Sequence, residues 1–312
     1  MSQFAQDVLE GLSATKKRLS SKYFYDDEGS RIFQEIMAMP EYYLTDREME
    51  ILQSRSLEIL QATDLEESFN VIELGAGDGT KTEQLLKTFL EAGHRPIYHP
   101  VDISQEAVDI VRDRLSRNLP ALEVRPAVGD YFHIMQEVTA HETPSLVLFL
   151  GSNIGNYIPP KNTDLISLIA INMSKGDYFL IGVDLKKDPT LIQGAYDDPH
   201  GITARFNLNL LERINRELGG DFDLEAWEFI CRYNSENGEV RSYLKSTRQQ
   251  EVFIRALDRK FAFAEGEEVW TELSKKYDLE GIEALGEESG LTFVQHFTDQ
   301  RHHFTDSLFK KS

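Results

Sequence analysis

Apolar and polar positions follow two different rhythms along the chain. Between residues 60 and 185, short apolar runs of strand type alternate with longer segments in which apolar residues recur every three or four positions. This alternation predicts a mostly parallel sheet of the α/β class. The predicted strands are 71–74, 98–101, 122–126, 146–150 and 178–183, and the predicted helices are 81–92, 105–118 and 164–173.

Residues 186–282 break this rhythm. We predict a helix at 204–218, followed by four strand-like runs, the first two of which flank an Asn-Gly turn of hairpin type. These runs are 227–233, 240–245, 250–254 and 261–263. They predict a small antiparallel sheet.

The two rhythms predict two lobes. A helix at 280–288 and strands at 292–298 and 303–310 return to the first pattern, and we assign both strands to the first sheet. We therefore predict a sheet domain formed by residues 60–185 with 283–312, and a second α+β lobe formed by residues 1–59 with 186–282.

A glycine-rich turn follows the first predicted strand, in Val71-Ile-Glu-Leu-Gly-Ala-Gly-Asp-Gly-Thr80. Gly75, Gly77 and Gly79 permit positive φ and let a ligand approach the backbone. Their spacing differs from the G-x-G-x-x-G dinucleotide fingerprint, which disfavours an NAD-dependent dehydrogenase. The pattern E-x-G-x-G-x-G resembles the first motif of class I S-adenosylmethionine (SAM)-dependent methyltransferases.

Two acids extend this resemblance. Asp102 ends the next predicted strand, at a position after the turn that suits a ribose diol. Asp130, in Val128-Gly-Asp130, resembles the methyltransferase acid that faces the adenine amino group. The three features in order indicate a SAM site, and the alternative is an ordinary α/β turn with solvent-exposed acids.

Composition narrows the possible partners. The 312 residues include 53 acids and 33 bases, a net charge of −20, which argues against nucleic acid and against an anionic membrane surface. No apolar run approaches the ~18 residues of a membrane span, and the N-terminus has no signal-peptide pattern, so we expect a cytoplasmic protein. The single cysteine, Cys231, excludes a disulfide within one chain and a cysteine-rich metal site. We expect it to be a core residue, and we expect no metal.

Further motifs, spread over nearly the whole chain, resemble the histidine-specific SAM-dependent methyltransferase family. They are Tyr23-Phe-Tyr-Asp26, Pro40-Glu-Tyr-Tyr-Leu-Thr45, Glu73-Leu-Gly-Ala-Gly77, Pro100-Val-Asp-Ile-Ser104, Gly151-Ser-Asn-Ile-Gly-Asn156, Gly182-Val-Asp-Leu-Lys-Lys187, Ala195-Tyr-Asp-Asp198, Thr203-Ala-Arg-Phe-Asn207 and Thr271-Glu-Leu-Ser274.

The resemblance implies a Rossmann-like class I fold and three methyl transfers from SAM to the α-amine of histidine, giving hercynine on the route to ergothioneine. It implies that SAM is held by Gly75, Gly77, Lys81, Asp102, Asp130 and Gly151. It implies a substrate site made of Tyr42, Asn156, Tyr196, Ser242, Glu272 and Ser274, with Tyr25 and Asn156 as catalytic residues. We expect a monomer with a small amino-acid substrate.

The residue chemistry agrees with these roles but leaves alternatives. The Glu272 carboxylate could accept a charge-assisted hydrogen bond from an imidazole N–H. Without the family resemblance, Glu272 would be interpreted as a solvent-exposed acid on a strand. This sequence differs from the family at Ser242, which aligns with an apolar methionine of the family. A smaller, more polar residue there leaves room for a histidine derivative of the ovothiol type or another aromatic amino acid. A non-catalytic SAM-binding regulatory protein is the alternative from another class.

Overall fold

The chain divides into two units in the computed structural model, which describes residues 1–129 and 143–312. Residues 44–186 and 276–312 form what we call the sheet unit, and residues 1–43 and 187–275 form the α+β unit. The sequence predicts residues 44–59 and 276–282 in the second lobe, whereas the structure groups them with the sheet unit.

The described residues form nine α-helices and thirteen strands. The helices are α1 (Gln3–Ser13), α2 (Asp27–Met37), α3 (Leu44–Gln61), α4 (Thr80–Glu91), α5 (Gln105–Asn118), α6 (Lys161–Asn172), α7 (Pro189–Tyr196), α8 (Ile202–Leu218) and α9 (Leu279–Glu288). The strands are β1 (Asn70–Leu74), β2 (Ile97–Asp102), β3 (Glu123–Val124), β4 (Ala127–Val128), β5 (Ser145–Phe149), β6 (Tyr178–Asp184), β7 (Trp227–Asn234), β8 (Glu239–Ser246), β9 (Gln250–Ile254), β10 (Arg259–Phe263), β11 (Glu268–Lys275), β12 (Thr292–Thr298) and β13 (Phe304–Lys310).

The sheet unit contains one mostly parallel sheet with the strand order β12-β13-β6-β5-β1-β2-β3, and β4 also pairs with β2. Strand β13 runs antiparallel to both neighbours, whereas β6, β5, β1, β2 and β3 are parallel. Every residue of β1, β5 and β6 is buried, as expected for strands covered on both faces. The α/β prediction is confirmed, and so is the assignment of the last two strands to this sheet.

The order of the strands reverses between β1 and β5. From β1 the chain continues to β2 on one side, and from β5 it continues to β6 on the other side. The carboxyl ends of β1 and β5 therefore form a topological switch point. Ligands of open α/β sheets bind at such points. The glycine-rich turn follows β1, and Gly151 follows β5.

A buried ion pair lies where the chain leaves and re-enters the sheet unit. Lys276 Nζ lies 2.8 Å from Asp184 Oδ2, and neither side chain is exposed to solvent. The backbone joins the same two segments, because Tyr277 N donates to the Asp184 carbonyl and Lys186 N donates to the Tyr277 carbonyl.

The α+β unit contains a three-stranded antiparallel sheet, β11-β8-β7, and a β9–β10 pair. Its apolar core joins α1, α2 and α8 to the buried faces of these strands. The predicted antiparallel sheet is confirmed.

One local prediction was wrong. The strand expected at 122–126 is instead a pair of two-residue strands, β3 and β4. Pro189 begins α7: it occupies the first turn, where no backbone N–H donor is needed, and Asp188 caps the helix by accepting from Thr190 N at 2.7 Å. No helix among the described residues is long and apolar enough to cross a membrane.

Candidate functional site

The glycine-rich turn has the left-handed backbone that its sequence predicts. Gly75, Gly77 and Gly79 have φ values of 78°, 55° and 68°. Gly75 N donates to the Val101 carbonyl at 2.8 Å, which fastens the turn to the end of β2. Gly77 is exposed, and a Cβ built on it would meet nothing within 4 Å. The turn therefore offers bare backbone and open space at the switch point.

Asp102, the last residue of β2, lies beside this turn. Its Oδ2 accepts from Gly77 N at 3.4 Å, and its Oδ1 accepts from Ser104 N at 3.0 Å. The carboxylate is thus held at the carboxyl end of the sheet, next to the glycines. Asp130, the other predicted acid, lies outside the described residues.

Lys81 and Gly151 both contact the carboxylate of Glu48, a residue that the sequence analysis does not place in the site. The carboxylate of Glu48, on α3, is wholly buried and pairs with the Lys81 ammonium. Its other oxygen, Oε1, accepts from Gly151 N at 2.7 Å. The sequence contains a signal that Glu48 is buried: it lies four residues after Leu44 and four before Leu52, within the buried stripe of α3.

A second buried carboxyl, Glu73 on β1, lies under the turn. It accepts hydrogen bonds from Thr82 Oγ1 at 2.6 Å and from the Tyr98 hydroxyl. Burial raises the pKa of Glu73 to about 7, although both hydrogen bonds and the Lys81 charge act in the opposite direction.

Asn156 ends a short 3₁₀ turn, Asn153–Asn156, that follows β5. Ser152 begins this turn with φ 58°, and its buried hydroxyl accepts from Asp184 N at 3.0 Å. Asn153 donates from Nδ2 to the Leu150 carbonyl at 2.8 Å. The turn is therefore anchored to β6 and β5, and Asn156 is exposed at its end.

A β-bulge determines which way Glu272 faces in the α+β unit. Val269 pairs with Leu244 and Trp270 with Tyr243, but the next partner of β8, Ser242, is opposite Glu272. Thr271 is the extra residue, and without it strict alternation would place Thr271 opposite Ser242. The bulge thus brings Glu272 to the inner face of the sheet.

The bulge is held by side chains on both of its sides. Buried Thr271 donates from Oγ1 to Asn207 Oδ1 on α8 at 2.7 Å. Trp270 Nε1 donates to the Glu272 carbonyl at 2.7 Å. The Thr271–Asn207 contact joins residues 64 positions apart, so no local sequence signal predicts this part of the bulge.

The inner face carries a row of polar side chains. Ser242 is fully buried, and its cross-strand partners are Glu272 on β11 and Cys231 on β7. Ser274 lies two residues beyond Glu272, on the same face, and its Oγ lies 2.9 Å from the Tyr196 hydroxyl of α7.

The predicted tyrosines adjoin this row through ring contacts. Tyr42 meets Tyr196 edge to face, with ring centroids 6.1 Å apart, and Phe33 lies 6.3 Å from Tyr42. Tyr25, about half exposed, stacks edge-on against Phe33 at 5.4 Å. The structure thus connects Tyr25, Tyr42, Tyr196 and Ser274 in one unit.

The predicted site residues fall into two groups. Gly75, Gly77, Lys81, Asp102, Gly151 and Asn156 belong to the sheet unit, at the carboxyl ends of its strands. Tyr25, Tyr42, Tyr196, Ser242, Glu272 and Ser274 belong to the α+β unit.

The carboxyl ends of these strands bring together a glycine turn, a carboxylate and an ammonium. Gly77 leaves open space in the turn, Asp102 lies beside it, and Lys81 follows at the start of α4, paired with Glu48. With the switch-point topology and the reversed strand β13, this defines the class: a class I, Rossmann-like SAM-dependent methyltransferase.

Comparison with known proteins identifies the family. The family model described as "Histidine-specific methyltransferase, SAM-dependent" matches residues 4–311. The histidine N-alpha-methyltransferase of Mycolicibacterium smegmatis is 37% identical over 97% of this chain and 93% of its own, and that of Mycobacterium tuberculosis is 36% identical over 98% and 94%. Ergothioneine biosynthesis protein 1 of Schizosaccharomyces pombe is 30% identical over 78% of this chain and 33% of its own. The chain belongs to the histidine-specific, SAM-dependent methyltransferase family.

Proposed function

We propose that this protein methylates the α-amine of L-histidine with SAM, three times in succession, to give hercynine for ergothioneine biosynthesis. The observation that carries the proposal is the position of Glu272: the bulge turns its carboxylate to the inner face, beside Ser242 and in line with Ser274. Family membership and two relatives named histidine N-alpha-methyltransferase support the same substrate.

In this proposal Glu272 and Ser274 hold the imidazole. The carboxylate accepts the ring N–H in a charge-assisted bond, and the Ser274 hydroxyl, already bonded to Tyr196, serves the other nitrogen. Tyr42 lies along the ring. An analogue without an N–H would not form this charge-assisted bond, which gives the site its preference for imidazoles.

Asn156 and Tyr196 bind the amino-acid head group in the proposed site, and Tyr25 closes that end. Bound SAM supplies an electrophilic methyl group on a sulfonium, whose C–S bond breaks as the C–N bond forms. The task of these residues is to hold an unprotonated amine with its lone pair in line, because positioning supplies much of the rate of such transfers.

We assign the cofactor to Gly75, Gly77, Lys81, Asp102, Asp130 and Gly151. Asp102 takes the ribose hydroxyls, Lys81 takes the carboxylate of SAM, and Asp130 takes the adenine amino group. The bare backbone of Gly77 lets the ligand approach the turn closely.

Ser242 supports a second candidate substrate. It is fully buried on the face of Glu272 and adds little volume there. The alternative methyl acceptor is therefore a histidine that carries a substituent on its ring, such as the thiol-bearing ovothiol type. The number of methyl groups transferred then depends on which substrate is used. A regulatory protein that binds SAM without turnover is the remote alternative.

Glu272→Gln tests the proposal. We expect the KM for histidine to rise by about tenfold or more, because a hydrogen bond to a charged group is lost, while the KM for SAM stays unchanged. The matched control is Glu268→Gln on the same strand, because the part-exposed Glu268 carboxylate accepts from Arg232 Nη1 at 2.7 Å. Equal histidine KM values for both variants would remove Glu272 from the substrate site.

A further inference from the structure

One carboxylate, that of Glu48, joins the two elements that flank the switch point. It pairs with the Lys81 ammonium at the start of α4 and accepts the Gly151 N–H just after β5. A Cβ built on Gly151 would lie 3.5 Å from Lys81 Nζ, so the three groups form one compact cluster. Glu48 itself is fully buried, and its contribution to any ligand is therefore made through Lys81 and Gly151.

A second carboxyl reaches the same cluster from the other side. Asp306, on β13, is fully buried, and neither of its oxygens has a hydrogen-bond partner. Its neighbour across the sheet is Gly182 on β6. A Cβ on Gly182 would collide with Glu48 Oε1 and lie 3.1 Å from Asp306 Oδ1. The missing side chain of Gly182 is thus what lets both carboxyls approach each other.

We propose that Glu48 is a positioning residue of the cofactor site, which fixes the Lys81 ammonium and the Gly151 N–H in one arrangement, and that Asp306 is a second carboxyl that can pair with Lys81 when the Glu48 charge is removed. This inference rests on the proposed assignment of Lys81 and Gly151 to SAM. Neither Glu48 nor Asp306 is assigned contact with the ligand.

The charges of the cluster support this division of roles. One cation, Lys81, faces the carboxyls of Glu48, Asp306 and Glu73. Burial and the charge of the nearby Glu48 carboxylate raise the pKa of Asp306 well above its usual range, which favours the protonated form of Asp306. Removal of the Glu48 charge takes away this repulsion. Burial still raises the pKa of Asp306, but it is then opposed by the Lys81 charge, so Asp306 ionises more readily than in the wild type.

The test measures SAM binding by calorimetry on the full chain, without any amine acceptor, from mildly acidic to mildly alkaline pH. The variants are Glu48→Gln, which keeps an acceptor for Gly151 N but loses the charge, Asp306→Asn, which mimics a neutral acid, and the double variant. Glu91→Gln is the control, since Glu91 is an exposed residue at the end of α4. Circular dichroism verifies that each variant is folded.

We expect Glu48→Gln to weaken SAM binding by about tenfold, because the charge-assisted bond that holds Lys81 is lost. Asp306→Asn should stay within about twofold of the wild type, since a neutral amide replaces a neutral acid. The deficit of Glu48→Gln should shrink as the pH rises, because Asp306 then ionises beside Lys81, and this recovery should be absent in the double variant. A merely structural role of Glu48 predicts no such pH effect.

The inference is overturned if Glu48→Gln binds SAM as the wild type does, or if its pH dependence persists in the double variant. If Glu48→Gln does not fold, Gly182→Ala replaces it: displacement of the Glu48 carboxylate should weaken SAM binding, and unchanged binding overturns the inference. Failure of the wild-type protein to bind SAM would instead refute the proposed cofactor site, whereas the identity of the methylated amine does not affect the result.

Discussion

Thr271→Val tests whether the bulge in β11 is what presents Glu272. The side chains have nearly the same shape, so the change removes one hydroxyl and little volume. That hydroxyl is the donor to Asn207 Oδ1 at 2.7 Å, and both residues are buried. The substitution therefore leaves a buried amide oxygen without this partner.

A buried acceptor that loses its donor costs about 1–3 kcal/mol. The free energy of unfolding of the α+β unit should fall by that amount, whereas the exposed Thr247→Val should change it by less than about 0.5 kcal/mol. Both tryptophans of the chain, Trp227 and Trp270, lie in the α+β unit, so urea unfolding followed by tryptophan fluorescence reports on this unit.

The same variant should also weaken histidine recognition. With its tie to α8 lost, the bulge relaxes, and Glu272 spends less time opposite Ser242. The KM for histidine should rise while the KM for SAM is unchanged, because the change touches only the α+β unit. A variant with wild-type stability and a wild-type histidine KM would refute the reasoning that the Thr271–Asn207 bond maintains the bulge.

Three further outcomes follow from the sheet unit. Gly77→Ala should weaken SAM binding in a calorimetric titration. Gly266 also has a positive φ and equally open surroundings, so Gly266→Ala should incur only the backbone cost of about 1 kcal/mol and bind SAM normally. Lys276→Met removes the cation of a buried ion pair and should lower the free energy of unfolding by about 3–5 kcal/mol in urea titrations followed by circular dichroism. Lys186→Met, in a part-exposed pair, should lower it by less than about 1 kcal/mol. Because the pKa of Glu73 rises from 4.5 to about 7 on folding, the unfolded state loses this proton first, and stability should fall by roughly 3 kcal/mol as the pH rises through that interval. Glu73→Gln should flatten this decline in the same titrations, and an unaltered decline would assign it to other groups.

Much of the sheet could be predicted because its signals are local. The apolar runs and the glycine spacing predicted β1, its turn and the helix after it, and helix α5 begins and ends at the predicted residues. Asp102 follows from its place at the end of an apolar strand. Each of these features depends on neighbouring residues alone.

The bulge could not be predicted, because its causes are not local. Strict alternation from Val269 predicts that Thr271 faces inward and Glu272 outward. Thr271 is indeed buried, but the register shift next to it places Glu272 opposite Ser242, and the partner that ties Thr271 in place, Asn207, lies 64 positions earlier. The importance of Glu272 was therefore visible through family resemblance and not through periodicity.

Glu48 is an intermediate case. Its place in the apolar stripe of α3 marks it as buried, and a buried carboxylate requires partners. The partners themselves, Lys81 and Gly151, are 33 and 103 positions away, so only the structure identifies them.

The most direct test of the proposed function is mass spectrometry of the products formed from SAM and a panel of amines. The panel contains histidine, its mono- and dimethyl derivatives, ring-substituted thiol histidines and other aromatic amino acids. The account predicts that histidine gains three methyl groups and becomes hercynine. A protein that binds SAM but leaves histidine unmethylated would contradict the account. If only a ring-substituted histidine is methylated, the substrate is instead the alternative for which Ser242 leaves room.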